Sequence, residues 1–148
     1  MHALARAYRL LERALDGLSL ADFRVLSAIG AGEERASRLA ARLALGKPAI
    51  SATVESLCRR GLLRRSPLDA DQRVLSIALT SDGAAVLADA ERRLSALVDD
   101  LAARTPDPAG TLAALAALDV AIDARRAEQQ TTQRVDEPVA TRERTVRA

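Results

Sequence analysis

Residues 61–83 read GLLRRSPLDADQRVLSIALTSDG. The run Leu62-Leu63-Arg64-Arg65-Ser66 comes first and is closed by Pro67. Further on, Val74, Ser76, Ala78 and Thr80 alternate with Leu75, Ile77 and Leu79. Period-two alternation marks a half-buried strand. The polar segment from Leu68 to Arg73 lies between the runs, so the stretch predicts a β-hairpin with an extended tip. Thr80 is placed to cap a helix that begins at Ser81.

On the N-terminal side of the hairpin the pattern is helical. Ile50, Val54 and Leu57 form an apolar stripe, Pro48 suits the first turn and Gly61 the C-cap, which predicts a helix ending near Arg60. A short helix from Ser37 to about Leu45 precedes it, with Leu39 and Leu43 inward. Before that, Ser19 and Asp22 form a capping box for a helix that buries Phe23, Leu26 and Ile29 and stops at Gly30 and Gly32. The first helix carries Leu4, Tyr8, Leu11 and Leu15 on one face and ends at Gly17.

On the C-terminal side, Leu87, Ala90, Leu94, Leu97 and Leu101 repeat at spacings of 3 and 4 in a helix expected to reach about Arg104. Pro106 and Pro108 break it. A last helix, from about Ala109 to Ala127, carries Leu112, Leu115, Leu118 and Ile122. From Gln129 onward no apolar face recurs, so residues 129–148 are expected to be disordered. The fold class is therefore mainly α with one small β-hairpin: three helices, the hairpin, then two apolar-striped helices. Two short helices joined by a brief turn, followed by a hairpin, make a winged helix-turn-helix.

Composition supports this. Of 148 residues, 49% are hydrophobic and 1% aromatic, so Leu, Ala, Val and Ile must build the core. The single cysteine, Cys58, excludes an internal disulfide. It reads as an inert small residue late in its helix, although the neighbouring Arg59 and Arg60 raise the alternative of a reactive thiolate. His2 has no Cys/His/Asp cluster around it, so no metal site and no cofactor are expected. No nucleophile–base pair or phosphate-cradling Gly-rich loop points to an enzyme. The apolar runs are too short to span a bilayer and the N-terminus lacks a signal-peptide pattern, which places the chain in the cytoplasm, away from membranes.

The net charge is +2, but it is unevenly spread. Arg35, Arg38, Arg42, Lys47, Arg59, Arg60, Arg64 and Arg65 stand against Glu55 alone between positions 35 and 65, giving 8 − 1 = +7 and leaving 2 − 7 = −5 elsewhere. A basic block in a near-neutral chain is the footprint of a nucleic-acid binder; an ordinary solvated surface is the competing reading. A helix fits the major groove with its N-terminal residues at the base edges. The exposed positions of the candidate recognition helix are Lys47, Pro48, Ala49, Ser51, Ala52 and Glu55. Arg38 and Arg42, one turn apart on the preceding helix, are candidate phosphate contacts, and Arg59, Arg60, Arg64 and Arg65, clustered near the base of the wing, are each a phosphate contact or a solvated residue before a base reader.

Leu18 to Gly83 resembles the MarR (multiple antibiotic resistance regulator) family. The resemblance is carried by Leu39-Ala40 with Leu43, by Leu57-x-Arg59-Arg60-Gly61-Leu62-Leu63-Arg64-Arg65, by Asp69-x-Asp71-Gln72-Arg73 and by Leu79-Thr80-x-x-Gly83. It implies that Arg73 enters the minor groove while Asp71 holds the wing. It also implies a homodimer on a pseudo-palindromic double-stranded operator, acting as a repressor relieved by a small apolar or phenolic ligand, with Tyr8 and Phe23 the rings near such a ligand. The domains would be a dimerisation helix in 1–18, the DNA-binding region in 19–80 and dimerisation helices in 81–128. Two positions depart from the family: Ala52 replaces a longer polar residue in the recognition helix, and the N-terminal helix is short. A winged helix that docks another protein and not DNA is the alternative, against which the basic block argues, since interface cores are depleted in charge.

Overall fold

The computed structural model describes residues 2–32, 39, 40, 43, 46–67 and 75–135. Its elements are helix α1 (His2–Ala14), α2 (Leu20–Gly30), α3 (Lys47–Arg59), strands β1 (Leu63–Pro67) and β2 (Leu75–Leu79), α4 (Ser81–Ala103) and α5 (Pro108–Val135). The chain divides into two units, residues 1–99 and 100–148. The mostly helical architecture with one antiparallel hairpin is the one the patterning implies.

The first unit holds the core. Val25, Leu26, Ala28 and Ile29 of α2, Leu39, Ala40 and Leu43 of the next helical segment, Ile50, Val54 and Leu57 of α3, Leu62, Leu63 and Ile77 of the hairpin and Leu87 and Ala90 of α4 pack as one cluster. The stripe on α3 is the expected one. On α2 it shifts: Val25, absent from the expected face, is fully buried, while Phe23 is only half-buried against the cluster. Two adjacent pairs of α2, 25–26 and 28–29, are covered because α3 and β2 both pack on it, which widens the buried arc beyond an i, i+3 stripe.

The start of α2 and the end of α3 each have a visible cause. Ser19 and Asp22 form the full capping box of α2. At the end of α3, Leu62 N–H donates to the Leu57 carbonyl (2.9 Å) and Gly61 N–H to that of Cys58 (3.0 Å). This is a Schellman cap, and Gly61 takes the left-handed φ of +73° that it requires. The cap turns the chain directly into β1.

The hairpin register pairs Leu63 with Leu79, Arg65 with Ile77 and Pro67 with Leu75. Thr80 N–H donates to the Leu62 carbonyl (3.1 Å), which makes 62 and 80 a hydrogen-bonded pair. By alternation the Pro67–Leu75 pair is a non-hydrogen-bonded one, so proline inside β1 costs the ladder nothing. The strands therefore run one residue further toward the tip than the break expected at Pro67. Leu68 to Val74, the wing tip, lies outside the described residues.

The start of α4 is built on the same junction. The Thr80 hydroxyl donates to the Gly61 carbonyl (2.7 Å), lies 3.2 Å from that of Leu62, and accepts from Gly83 N–H (2.9 Å). A Cβ on Gly83 would overlap the Leu62 carbonyl oxygen. Burial then fades along the seam of α4: Leu87 and Ala90 are buried, whereas Leu94 is only partly so.

In the second unit, α5 is capped by Asp107, whose carboxylate accepts from Gly110 N–H (2.9 Å). The helix was expected to end near Ala127 and instead continues through Val135. Residues 128–135 lack an apolar face but contain no proline or glycine, and helix propensity alone carries the backbone on. Residues 136–148 lie outside the described residues.

Gly83→Ala tests the junction. At an unconstrained helix position this change stabilises by about 1 kcal/mol. Here it should destabilise by roughly 2–3 kcal/mol, because backbone must move to admit the methyl group. Urea denaturation reads the sign directly.

Candidate nucleic-acid interface

Helix α3 presents two chemically distinct faces. Ile50, Val54 and Leu57 are at most 1% exposed. Lys47, Pro48, Ala49, Ser51, Ala52 and Glu55 are all exposed. The segregation follows from the 3.6-residue period, and it leaves the first turn uncovered. The N-cap is Gly46 in extended conformation, with Pro48 in the first turn, so no side chain caps the positive end of the helix dipole there. The outward side chains are short. They permit close approach of the backbone and supply one long cation, Lys47.

The arginines at and beyond the end of α3 divide by environment. Arg59 is exposed and makes an i, i+4 pair with Glu55 at 3.4 Å, a contact worth about 0.3–0.5 kcal/mol. Arg64 and Arg65 are exposed on β1. Arg60 turns back into the fold and donates to Asp22 (3.2 Å) and to the Gly17 carbonyl (3.0 Å). Arg38, Arg42, Asp71 and Arg73 lie outside the described residues.

Two further ties hold the helices that surround α3. Arg24 of α2 donates to the Leu43 carbonyl (2.7 Å) and so secures the segment that leads into α3. Arg93 of α4 reaches Asp16 in the α1–α2 corner and Asp89 on its own helix, both at 2.8 Å. The hydrogen bond to Asp16, then the Asp89 charge, hold the Arg93 guanidinium above its ordinary pKa. None of these ties was anticipated. Asp22 carried a signal as a capping residue, but its partner is 38 positions away, beyond the reach of local spacing.

Tyr8 stands exposed on α1, where its hydroxyl donates to Glu12 at 2.7 Å, and this bond raises its pKa. Phe23 packs against the core. Cys58 is half-buried and also touches the core, as an inert small side chain would. Among the described residues no group of three or more His, Cys, Asp or Glu could hold a metal ion, and no helix is long and apolar enough to cross a membrane.

The comparisons with known proteins agree with this geometry. The MarR family model matches residues 16–74, which span α2, α3 and β1 and stop short of β2. Over that stretch the chain is similar to the MarR family. Its members include transcription regulators among solved structures. The chain is similar to CouR, a transcriptional repressor solved on a 23-mer DNA duplex, at 25% identity over 82% of this chain and 87% of that one, TM-score 0.72. CouR from Rhodococcus jostii RHA1 has also been solved with p-coumaroyl-CoA; against that structure identity is 23% over 88% of this chain and 86% of that one, TM-score 0.62. The M. tuberculosis regulator MosR, solved with DNA, is similar at 28% identity over 84% of this chain and 93% of that one, TM-score 0.61. BldR from Sulfolobus solfataricus is similar at 28% identity over 80% and 90% of the two chains, TM-score 0.63. No curated protein sequence matches the chain. In Leu79-Thr80-x-x-Gly83 the threonine hydroxyl and the missing Cβ of the glycine are both used in the wing–helix junction.

The Arg24 tie can be checked by Arg24→Met, which keeps the apolar stem and removes the donor. The Leu43 carbonyl then loses its partner, and stability should fall by about 1–2 kcal/mol. An unchanged denaturation midpoint would show that this carbonyl is satisfied without Arg24.

Proposed function

We propose that the chain is a homodimeric, sequence-specific DNA-binding transcription regulator of the cytoplasm, acting as a repressor. The observation that carries this reading is helix α3: fully buried on one side, fully exposed on the other, and followed by exposed Arg59, Arg64 and Arg65. Lys47, Pro48, Ala49, Ser51, Ala52 and Glu55 would face the major groove. Arg59 and Arg65 would contact phosphates, with Arg38 and Arg42 joining them from the preceding helical segment. Asp71 and Arg73 would address the minor groove, whose negative potential attracts an arginine on a thin hairpin. With so few long polar arms on α3, groove shape and phosphate contacts would carry much of the affinity. CouR and MosR, both solved with DNA, support the assignment.

Dimerisation has its own support. Leu112, Leu115, Leu118 and Ile122 of α5 are 38–51% exposed, and Leu4 and Tyr8 of α1 are 67% and 47% exposed. Apolar stripes of this length left in water call for a partner, and a second copy of the chain supplies it. Two recognition helices would then read half-sites about one helical turn apart. The effector would be a small apolar or phenolic ligand, with Tyr8 and Phe23 as the aromatic side chains for it; the ligand solved with CouR, p-coumaroyl-CoA, is phenolic at its acyl end.

A mobility shift with DNA from upstream of the chain's own gene should show a complex at ~100 mM salt that weakens steeply as salt rises. Arg73→Ala should weaken it most on A·T-rich flanks. Absence of any complex would refute DNA binding. For the dimer, Leu115→Glu with Leu118→Glu should give a monomer by sedimentation and lower operator affinity by at least about tenfold, as two charges are unaffordable in an apolar interface. A double variant that stays dimeric would move the interface off α5.

A further inference from the structure

Arg59, Arg60, Arg64 and Arg65 surround Gly61 and look interchangeable in the sequence. In the structure Arg60 stands apart. Its side chain is 39% exposed and that of Asp22 14% exposed. One terminal nitrogen donates to Asp22 Oδ2 and the other to the Gly17 carbonyl, so the guanidinium fork spans two acceptors on either side of the α2 N-cap. Asp22 Oδ2 also accepts from Ser19 N–H (3.1 Å), which makes one carboxylate both the capping group of α2 and the anchor of Arg60. The corner itself is tightly bent: Asp16 has φ +39° and Gly17 φ +88°. Arg93 of α4 grips the same corner through Asp16.

We propose that Arg60 is a positioning residue for DNA reading and not a phosphate contact: it pins the C-terminal end of α3 to the α1–α2 corner and thereby sets where the exposed face of α3 points. The proposal rests on α3 being the recognition helix. The mechanical reason is leverage. Thirteen residues at about 1.5 Å each make α3 roughly 20 Å long. A tilt of about 10° at the Arg60 end would carry Lys47 some ~3 Å, the full length of a hydrogen bond. The electrostatic reason is commitment, since a guanidinium bridging two acceptors must abandon both to reach a phosphate.

The two roles predict opposite effects of the same substitutions. Operator binding by the full-length chain is measured by fluorescence anisotropy across a salt series, using the duplex from upstream of its own gene, for wild type, Arg60→Ala, Arg60→Lys, Asp22→Asn and Arg60→Ala with Asp22→Asn. As a positioning residue, Arg60→Ala and Asp22→Asn each weaken binding roughly fivefold to tenfold, the double variant is no weaker than Arg60→Ala, and the salt slope stays at the wild-type value. Arg60→Lys falls between, because a single ammonium cannot span both acceptors. As a phosphate contact, Arg60→Ala would flatten the slope by about one, and Asp22→Asn, which removes a negative charge, would leave binding unchanged or tighten it. That pattern overturns the proposal. Thermal unfolding of the same proteins reads the contact without DNA: a loss of Tm in the double variant smaller than the sum of the two single losses upholds the tie, since Asp22 also caps α2, and fully additive losses refute it. A wild-type chain that binds no DNA refutes the functional reading itself, and the Tm comparison still decides whether Arg60 and Asp22 are coupled.

Discussion

The Thr80 hydroxyl joins the wing to the long helix. It gives its proton to the Gly61 carbonyl, lies beside the carbonyl of Leu62 and receives the N–H of Gly83. Those partners come from three places: the turn after α3, the residue entering β1, and the first turn of α4. The close approach is possible only because position 83 has no Cβ. The backbone of the α3 cap, both ends of the hairpin and the origin of α4 are thus set by one oxygen and one missing methyl group.

The rest of the first unit is arranged around that knot. The Schellman cap at Gly61 delivers Leu62 and Leu63 into the core, and the register places Ile77 and Leu79 against α2 and α4. The α2 N-terminus has the corresponding role on the far side, where Asp22 serves Ser19 and Arg60 together. Both joints lie next to α3, so this helix, whose first three residues are exposed, is tied by polar contacts at its other end. Packing fixes the buried face of α3, and polar ties fix its direction.

Much of this was legible in the sequence because the information was local. The capping box Ser19–Asp22, the glycine after α3, the Thr80 cap and the period-two run from Val74 each declare themselves within about four residues. The buried stripe of α3 and the exposure of Lys47 to Glu55 followed from helical period alone. What escaped was nonlocal or cumulative. Arg60 looked like one more cation in a basic run until the fold brought it to Asp22. Val25 is buried because two elements converge on α2, and α5 outlasts its apolar stripe because propensity suffices there. The wing-tip pair Asp71 and Arg73 and the positioning cations Arg38 and Arg42 are read from the sequence and the family resemblance alone.

The placement of Pro67 reaches beyond the single molecule. Among the described residues the sheet has two strands, so the outer side of each is an edge along which a foreign strand could pair. In β1 the residues whose N–H groups point to that outer side are Leu63, Arg65 and Pro67. Proline deletes one of these three donors at no cost to the hairpin, and the charges of Arg64 and Arg65 repel an incoming copy of the same strand. The outer edge of β1 is thereby guarded against pairing with a foreign strand by a proline and by two of the residues that give the hairpin its positive charge.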